Sequence, residues 1–279
     1  MHVRNMKKIS LSCFVMWLLI GLTTINTACN NKELNNCLSL NKKTENIVND
    51  TFNVGKFTKL NIAGSVNIAF VQENSYRVVA IGDQSAVENL NVSVDQDTLF
   101  IGRKNSNFTS KKDREVKIFI TCPNIDAIKL AGNCKFVADS VLTDKMSIMI
   151  SGTNKIEIKQ LKSSSVDVIV KGASKYLGNI IAENINMNIT GASKIESAIQ
   201  ANDLFTHCSG AYNAKIDFKG EKSSFESVGA GTLNLNVDCK TVRVKVSGAG
   251  RCTISGITDN QIINASGLAK IKSDSLKQR

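Results

Sequence analysis

From residue 122 onward, apolar and polar positions alternate with period two, and the alternation restarts on a regular beat of glycines. These are Gly132, Gly152, Gly172, Gly191, Gly210, Gly229, Gly248 and Gly267, two steps of 20 residues followed by steps of 19. Two positions before each glycine stand Leu130, Ile150, Val170, Ile189, Cys208, Ser227, Val246 and Ala265. Four before stand Ile128, Ile148, Val168, Met187, Thr206, Phe225, Val244 and Ile263. Four after, the column runs Phe136, Ile156, Tyr176, Ile195, Ala214, Leu233, Cys252 and Ile271. Six after, it continues from Ala138 and Ile158 to Leu235 and Ile254. Such alternation predicts two short strands per repeat, each with one face inward.

A fixed period of this length marks a repeat architecture. One repeat cannot bury its own apolar face, so successive repeats must stack and share a core. Two strands and two corners in 19 to 20 residues suit one coil of a parallel β-helix, whereas helical repeats are longer and carry a 3.6 period. Glycine fits the corner, where the chain turns sharply and a β-carbon would obstruct it. Pro123 is the single proline, as expected of strands whose N–H groups are all needed by neighbouring coils. Equal spacing and matching columns argue against hairpin turns in an antiparallel sandwich. The expected fold is therefore all-β, a parallel β-solenoid over residues 122–279.

The N-terminal half keeps the rule in part. Gly64 behaves as an earlier corner, with Ile62 two before, Ile68 four after and Phe70 six after. The beat then breaks until Gly132. Tyr76–Ile81, Leu90–Val94, Leu99–Ile101 and Glu115–Thr121 read as strands. Residues 52–121 are thus expected to form a first coil with inserted strands that cap the stack, continuous with 122–279, and Asn105 to Lys112 to form a polar loop tip. Capping of terminal units is usual in repeat folds, because an open strand edge invites aggregation.

Residues 1–28 read as an export signal. Arg4, Lys7 and Lys8 precede an apolar stretch, Ile9 to Ile25, which ends at Thr27-Ala28-Cys29. Small residues before a cysteine resemble the lipobox of bacterial lipoproteins, although Asn26 stands where a leucine is usual. The resemblance implies cleavage before Cys29 and acylation of its thiol, which places the protein in the cell envelope on a lipid anchor. Residues 29–51, rich in Asn, Lys, Glu and Thr, are expected to form a flexible tether.

Charge adds one surface feature. The formal net charge is +11. Residues 1–28 hold Arg4, Lys7 and Lys8 and no acid, so without them it falls to +8. Three positions after each glycine stand Lys135, Lys155, Lys175, Lys194, Asn213, Thr232, Arg251 and Lys270. With coils about 4.8 Å apart, the lysines form a ladder on an outward column. Repulsion between neighbours in water is below about 1 kcal/mol, so solvation alone accommodates it. Lys135, Lys155, Lys175, Lys194, Arg251 and Lys270 also form a candidate strip for an anionic partner, such as an acidic glycan or surface protein. Nucleic acid is disfavoured by the expected export and by the scarcity of aromatic residues for base stacking.

Catalytic chemistry finds little support. Beyond residue 28 there is one histidine, His207, at an outward position, and a lone surface histidine is more often incidental than catalytic. No CxxC pair, phosphate-binding loop, dinucleotide fingerprint or EF-hand loop occurs, and no cofactor or metal site is expected. Cys208 and Cys252 fall in inward columns and read as small core residues. Cys122 and Cys134 are a candidate pair in an oxidising compartment. Many parallel β-helices cleave acidic polysaccharides with clustered acids, but here no outward column repeats them. A polysaccharide-active enzyme and a spacer without ligand remain the alternatives to a binding module.

The repeated Ser/Thr-Gly-Ala words, the segment Cys122–Gly132 (CPNIDAIKLAG) and the opening Phe57–Val66 (FTKLNIAGSV) together resemble the putative auto-transporter adhesin, head GIN domain family, common in lipoproteins of Bacteroidota. The resemblance spans residues 57 to 273. It implies a right-handed β-helix-like domain on the cell envelope with an adhesive role, and supplies no catalytic residues. Lys171, Thr190 and Leu268 depart from the repeated word without threatening the fold.

Overall fold

The computed structural model describes residues 47–104 and 116–279. After each glycine corner the chain lays down one strand, turns, and lays down a second that ends at the next glycine. The strands before the corners are β2 (Lys59–Gly64), β8 (Ala127–Gly132), β10 (Lys145–Gly152), β12 (Ser165–Gly172) and β14 (Asn184–Thr190). Those after them are β3 (Asn67–Gln72), β9 (Lys135–Leu142), β11 (Lys155–Lys162) and β13 (Lys175–Ile181). Each set pairs in parallel from coil to coil, with Gly152 beside Gly132 and Gly172. From Lys194 the second corner softens. β15 (Lys194–Gly210), β16 (Asn213–Gly229), β17 (Thr232–Gly248) and β18 (Arg251–Gly267) each run unbroken through both halves of a coil, and β19 (Lys270–Gln278) follows. No glycine recurs there from coil to coil. One outward residue per coil, such as Glu221 or Lys240, drops out of register and takes up the bend.

The expected inward columns enclose one core, running from Phe57 through Phe136, Tyr176 and Phe225 to Ile254. Two more columns line it. Six before their glycines lie Met146, Val166, Ile185, Leu204 and Val242; eight or nine after theirs lie Val141, Leu161, Ile180, Ile199, Phe218 and Val237. The latter explain the change of beat. Leu161 pairs with Val141 and Ile180 although it stands nine residues after its glycine and Ile180 only eight. The additional residue is a bulge. It is Lys159, beside Asp139 of the preceding coil, and their side chains meet at 2.6 Å.

The N-terminal half gives the largest departure from the simple picture. The insertion supplies a whole extra coil, β6 (Thr98–Arg103) and β7 (Lys117–Cys122), lying on the outer side of β2 and β3. The first coil in sequence is therefore second in space, since β2 pairs with both β6 and β8, and β3 with both β7 and β9. Antiparallel strands close this end: β5 (Leu90–Asp95) covers β6, and β4 (Arg77–Asp83) covers β7. A short helix, α1 (Gln84–Glu88), joins them, capped by the Asp83 carboxylate, which accepts from the Ser85 amide. β1 (Ile47–Phe52) pairs antiparallel with β4 and takes up residues that composition assigns to the tether. Leaving β7, the chain must step past the β2–β3 coil. It uses four residues, 123–126, where the next coils use two. The Gln72 amide secures the crossing, donating to Pro123 O and Leu142 O and accepting from the Leu142 N–H.

Among the described residues, two buried hydroxyls in the core lack a hydrogen-bond partner, those of Tyr176 and Thr206, and Tyr176 is the larger group. Tyr176 is fully buried and its hydroxyl has no hydrogen-bond partner; burial pushes its pKa up. Tyr176→Phe should therefore raise stability by about 1–2 kcal/mol, because the desolvated hydroxyl gives nothing back. Thermal unfolding of the two chains checks this: a rise of a few degrees is expected, and a loss would show that the hydroxyl has a partner.

Candidate functional site

The alternation that turns Ile156 and Tyr176 inward turns their predecessors outward. Lys135, Lys155, Lys175 and Lys194 stand in direct register on four successive coils. Asn213, Thr232, Arg251 and Lys270 continue the column, and Asn67 precedes it. The structure thus brings the four lysines together as one ladder and sets Arg251 and Lys270 apart as a second pair, two uncharged coils away. Two residues further along their strands, Glu157 and Glu196 pair with Lys155 at 3.0 Å and Lys194 at 2.7 Å. The hydrogen bond from each lysine, aided by the neighbouring lysines, holds both carboxyls below the usual carboxylate range. Lys135 and Lys175 have no carboxylate partner among the described residues. The ladder therefore alternates a neutralised with an open charge. A depression of about 380 Å³ lies at the corners beside Lys135, Lys155 and Lys175, lined also by Asn67, Asn133 and Thr153.

The corners under the ladder are held by an inward polar column two residues after each glycine. Ser174 and Ser193 donate to the carbonyls of Gly152 and Gly172, and Asn154 accepts from the Cys134 N–H. Each lysine follows directly after one of these buried residues, so its backbone is fixed while its side chain stays in water. All nine corner glycines, Gly64 included, have positive φ.

Other candidate positions are placed as follows. Cys122, Cys134, Cys208 and Cys252 are buried free thiols. Burial pushes Cys134 up to about 11 and Cys122, Cys208 and Cys252 up to about 12, so they stay protonated and unreactive. Cys122 and Cys134 are not paired with each other. His207 is outward and lies 3.6 Å from Glu226. Cys29 and the segments expected to form an export signal and a polar loop tip lie outside the described residues. Among the described residues no three His, Cys, Asp or Glu side chains are grouped to hold a metal, and no helix is long and apolar enough to cross a membrane. A second depression, over Phe205, was not singled out by the sequence. Its residues sit at outward positions five and seven before the glycines, where neither charge nor residue type repeats.

The model of the family described as putative auto-transporter adhesin, head GIN domain, matches residues 56–216 and 202–279. The chain belongs to this family. Its head GIN domain accordingly takes in the capping strands β4 and β5 and the extra coil β6–β7 as well as the regular coils. Solved structures share the fold at low identity. A putative adhesin from Parabacteroides distasonis is 18% identical with a TM-score of 0.69, covering 81% of this chain and 96% of its own. A putative adhesin from Bacteroides fragilis is 22% identical with a TM-score of 0.60, over 83% and 97%. A structure described as a putative lipid binding protein, also from Parabacteroides distasonis, is 16% identical with a TM-score of 0.61, over 82% and 97%. No curated protein matches the chain.

Proposed function

We propose that this protein is a lipoprotein of the cell envelope, anchored through Cys29, whose head GIN solenoid is an adhesive binding module for an acidic glycan or an acidic surface protein. The observation that carries this reading is the register of Lys135, Lys155, Lys175 and Lys194. Four cations at the coil spacing of about 4.8 Å make a linear strip that suits a linear polyanion better than a point ligand. Family membership and the adhesin descriptions of its structural relatives support the adhesive role. The buried, protonated thiols and the lone histidine leave no activated nucleophile among the described residues, which favours binding over catalysis.

Intact cells carrying the full chain provide the test. They should adhere to a polygalacturonate-coated surface, and protease shaving should remove both the domain and the adhesion. A domain protected from protease, or adhesion that survives its removal, would overturn the reading.

A further inference from the structure

We propose that the groove over Phe205 is a second binding site, taking a short acidic oligosaccharide lengthwise across the coils. The groove encloses about 540 Å³ on the outward side of the pre-corner strands. One row of its wall is Asp167, Asn186, Phe205, Ser224 and Arg243, in direct register on five coils. The parallel row is Ser165, Asn184, Asp203, Lys222 and Thr241. At about 4.8 Å per coil the groove runs about 19 Å from Asp167 to Arg243.

Its chemistry is graded along that length. The early end offers Asp167, Asp203, Asn184 and Asn186; the late end offers Lys222 and Arg243. Phe205 lies between them, 42% exposed. A singly exposed apolar residue is ordinary on a protein surface. This one lies in a concave wall flanked by amides, carboxylates and a guanidinium, the mixture that marks a ligand site. The polar groups are also available. Asn186 donates to Asp167 at 3.3 Å, but Asp203 and Lys222, although register neighbours, form no ion pair, and Arg243 has none either among the described residues.

A sugar chain meets each of these demands. The C–H face of a pyranose covers the Phe205 ring and its hydroxyls reach Asn186, Asp203 and Asn184. A ring carboxylate two coils away meets the planar fork of Arg243, with Lys222 beside it. A polyanion without an apolar face would leave Phe205 wet, so this groove asks of its acidic ligand a sugar face that the lysine ladder does not require.

The full chain titrated with a hyaluronan hexasaccharide, and in parallel with neutral maltohexaose, tests the proposal. The acidic hexasaccharide should bind more tightly. Phe205→Ala should weaken it about tenfold and Arg243→Gln by a similar factor, while Phe205→Tyr restores it and the melting temperature stays unchanged. Binding should persist when Lys135, Lys155, Lys175 and Lys194 are all changed to Gln, which separates this site from the ladder. The proposal is overturned by an absence of binding, by affinity indifferent to Phe205→Ala, or by preference for the neutral sugar.

Discussion

Gly152→Ala should destabilise the solenoid by about 3–5 kcal/mol, whereas Gly64→Ala should cost only about 1–2 kcal/mol. Both glycines are left-handed corners, with φ of 99° and 113° respectively. Any L-residue there carries the strain of positive φ, which accounts for the smaller figure. The difference lies in what the new methyl group meets. At Gly152 a β-carbon would stand 2.5 Å from the Gly132 carbonyl oxygen and 3.1 Å from its nitrogen. That neighbour is backbone in a hydrogen-bonded ladder, since Thr153 N–H donates to the same Gly132 oxygen at 2.7 Å. It can retreat only by prising two coils apart. At Gly64 the adjoining coil presents Arg103 instead, with Cγ at an ordinary 3.7 Å. Denaturant or thermal unfolding of the two variants measures the contrast. With roughly 2–4 °C per kcal/mol for a domain of this size, Gly152→Ala should melt about 10 °C or more below the parent and Gly64→Ala a few degrees below. Equal losses would mean that strain alone, and not coil-to-coil contact, selects glycine.

This contrast also shows how much of the fold could be read from residues. The glycine beat and the columns at two and four before and four and six after each corner appear as buried stacks, from Leu130 and Phe136 to Val246 and Ile254. They were legible because alternation is local and the repeat multiplies it. Gly64 was legible for the same reason, and it does stack on Gly132. The extra coil made by β6 and β7 was not. Its strands look like any short strands, and their place outside β2 and β3 depends on pairings such as Lys59 with Thr98 and Asn67 with Lys117, which no period marks. The bulge at Lys159 announces itself only as a step of 20 instead of 19. Which residue is surplus follows from the pairing of Leu161 with Ile180. The softened second corner after Lys194 had no signal, because no glycine or proline recurs there from coil to coil; Gly220 and Gly256 stand near it at different offsets from their corner glycines.

The candidate sites divide the same way. The lysine ladder could be read because one residue type recurs at one offset, and the structure adds what sequence could not. Lys155 and Lys194 are paired with Glu157 and Glu196, while Lys135 and Lys175 stand open. The groove over Phe205 is built from unlike residues, so only the register assembles it. A cysteine pair between Cys122 and Cys134 was a reasonable candidate by composition. Both thiols instead fill the core, and each donates to a backbone carbonyl, Cys122 to Asn124 O and Cys134 to Gly64 O.

The functional weight rests on the ladder, and its removal should have a large effect. Each open or half-neutralised lysine contributes of order 0.2–1 kcal/mol to an exposed ionic contact. Four in line on a polyanion should then sum to roughly a 10- to 100-fold change in affinity at low salt. Glutamine keeps the stem and the hydrogen-bonding end while removing the charge, so the solenoid should be unaffected. A matched control replaces Lys145, Lys162, Lys245 and Lys277, which are exposed but do not share the column. The decisive measurement is therefore retention of the full chain on immobilised polygalacturonate as a function of salt. The parent and the control variant should be held at low salt and released together as screening rises. The chain with Lys135, Lys155, Lys175 and Lys194 changed to Gln should be held weakly at every salt concentration. If that variant and the parent elute together, the ladder is only a solvated face of the solenoid and the adhesive strip does not exist.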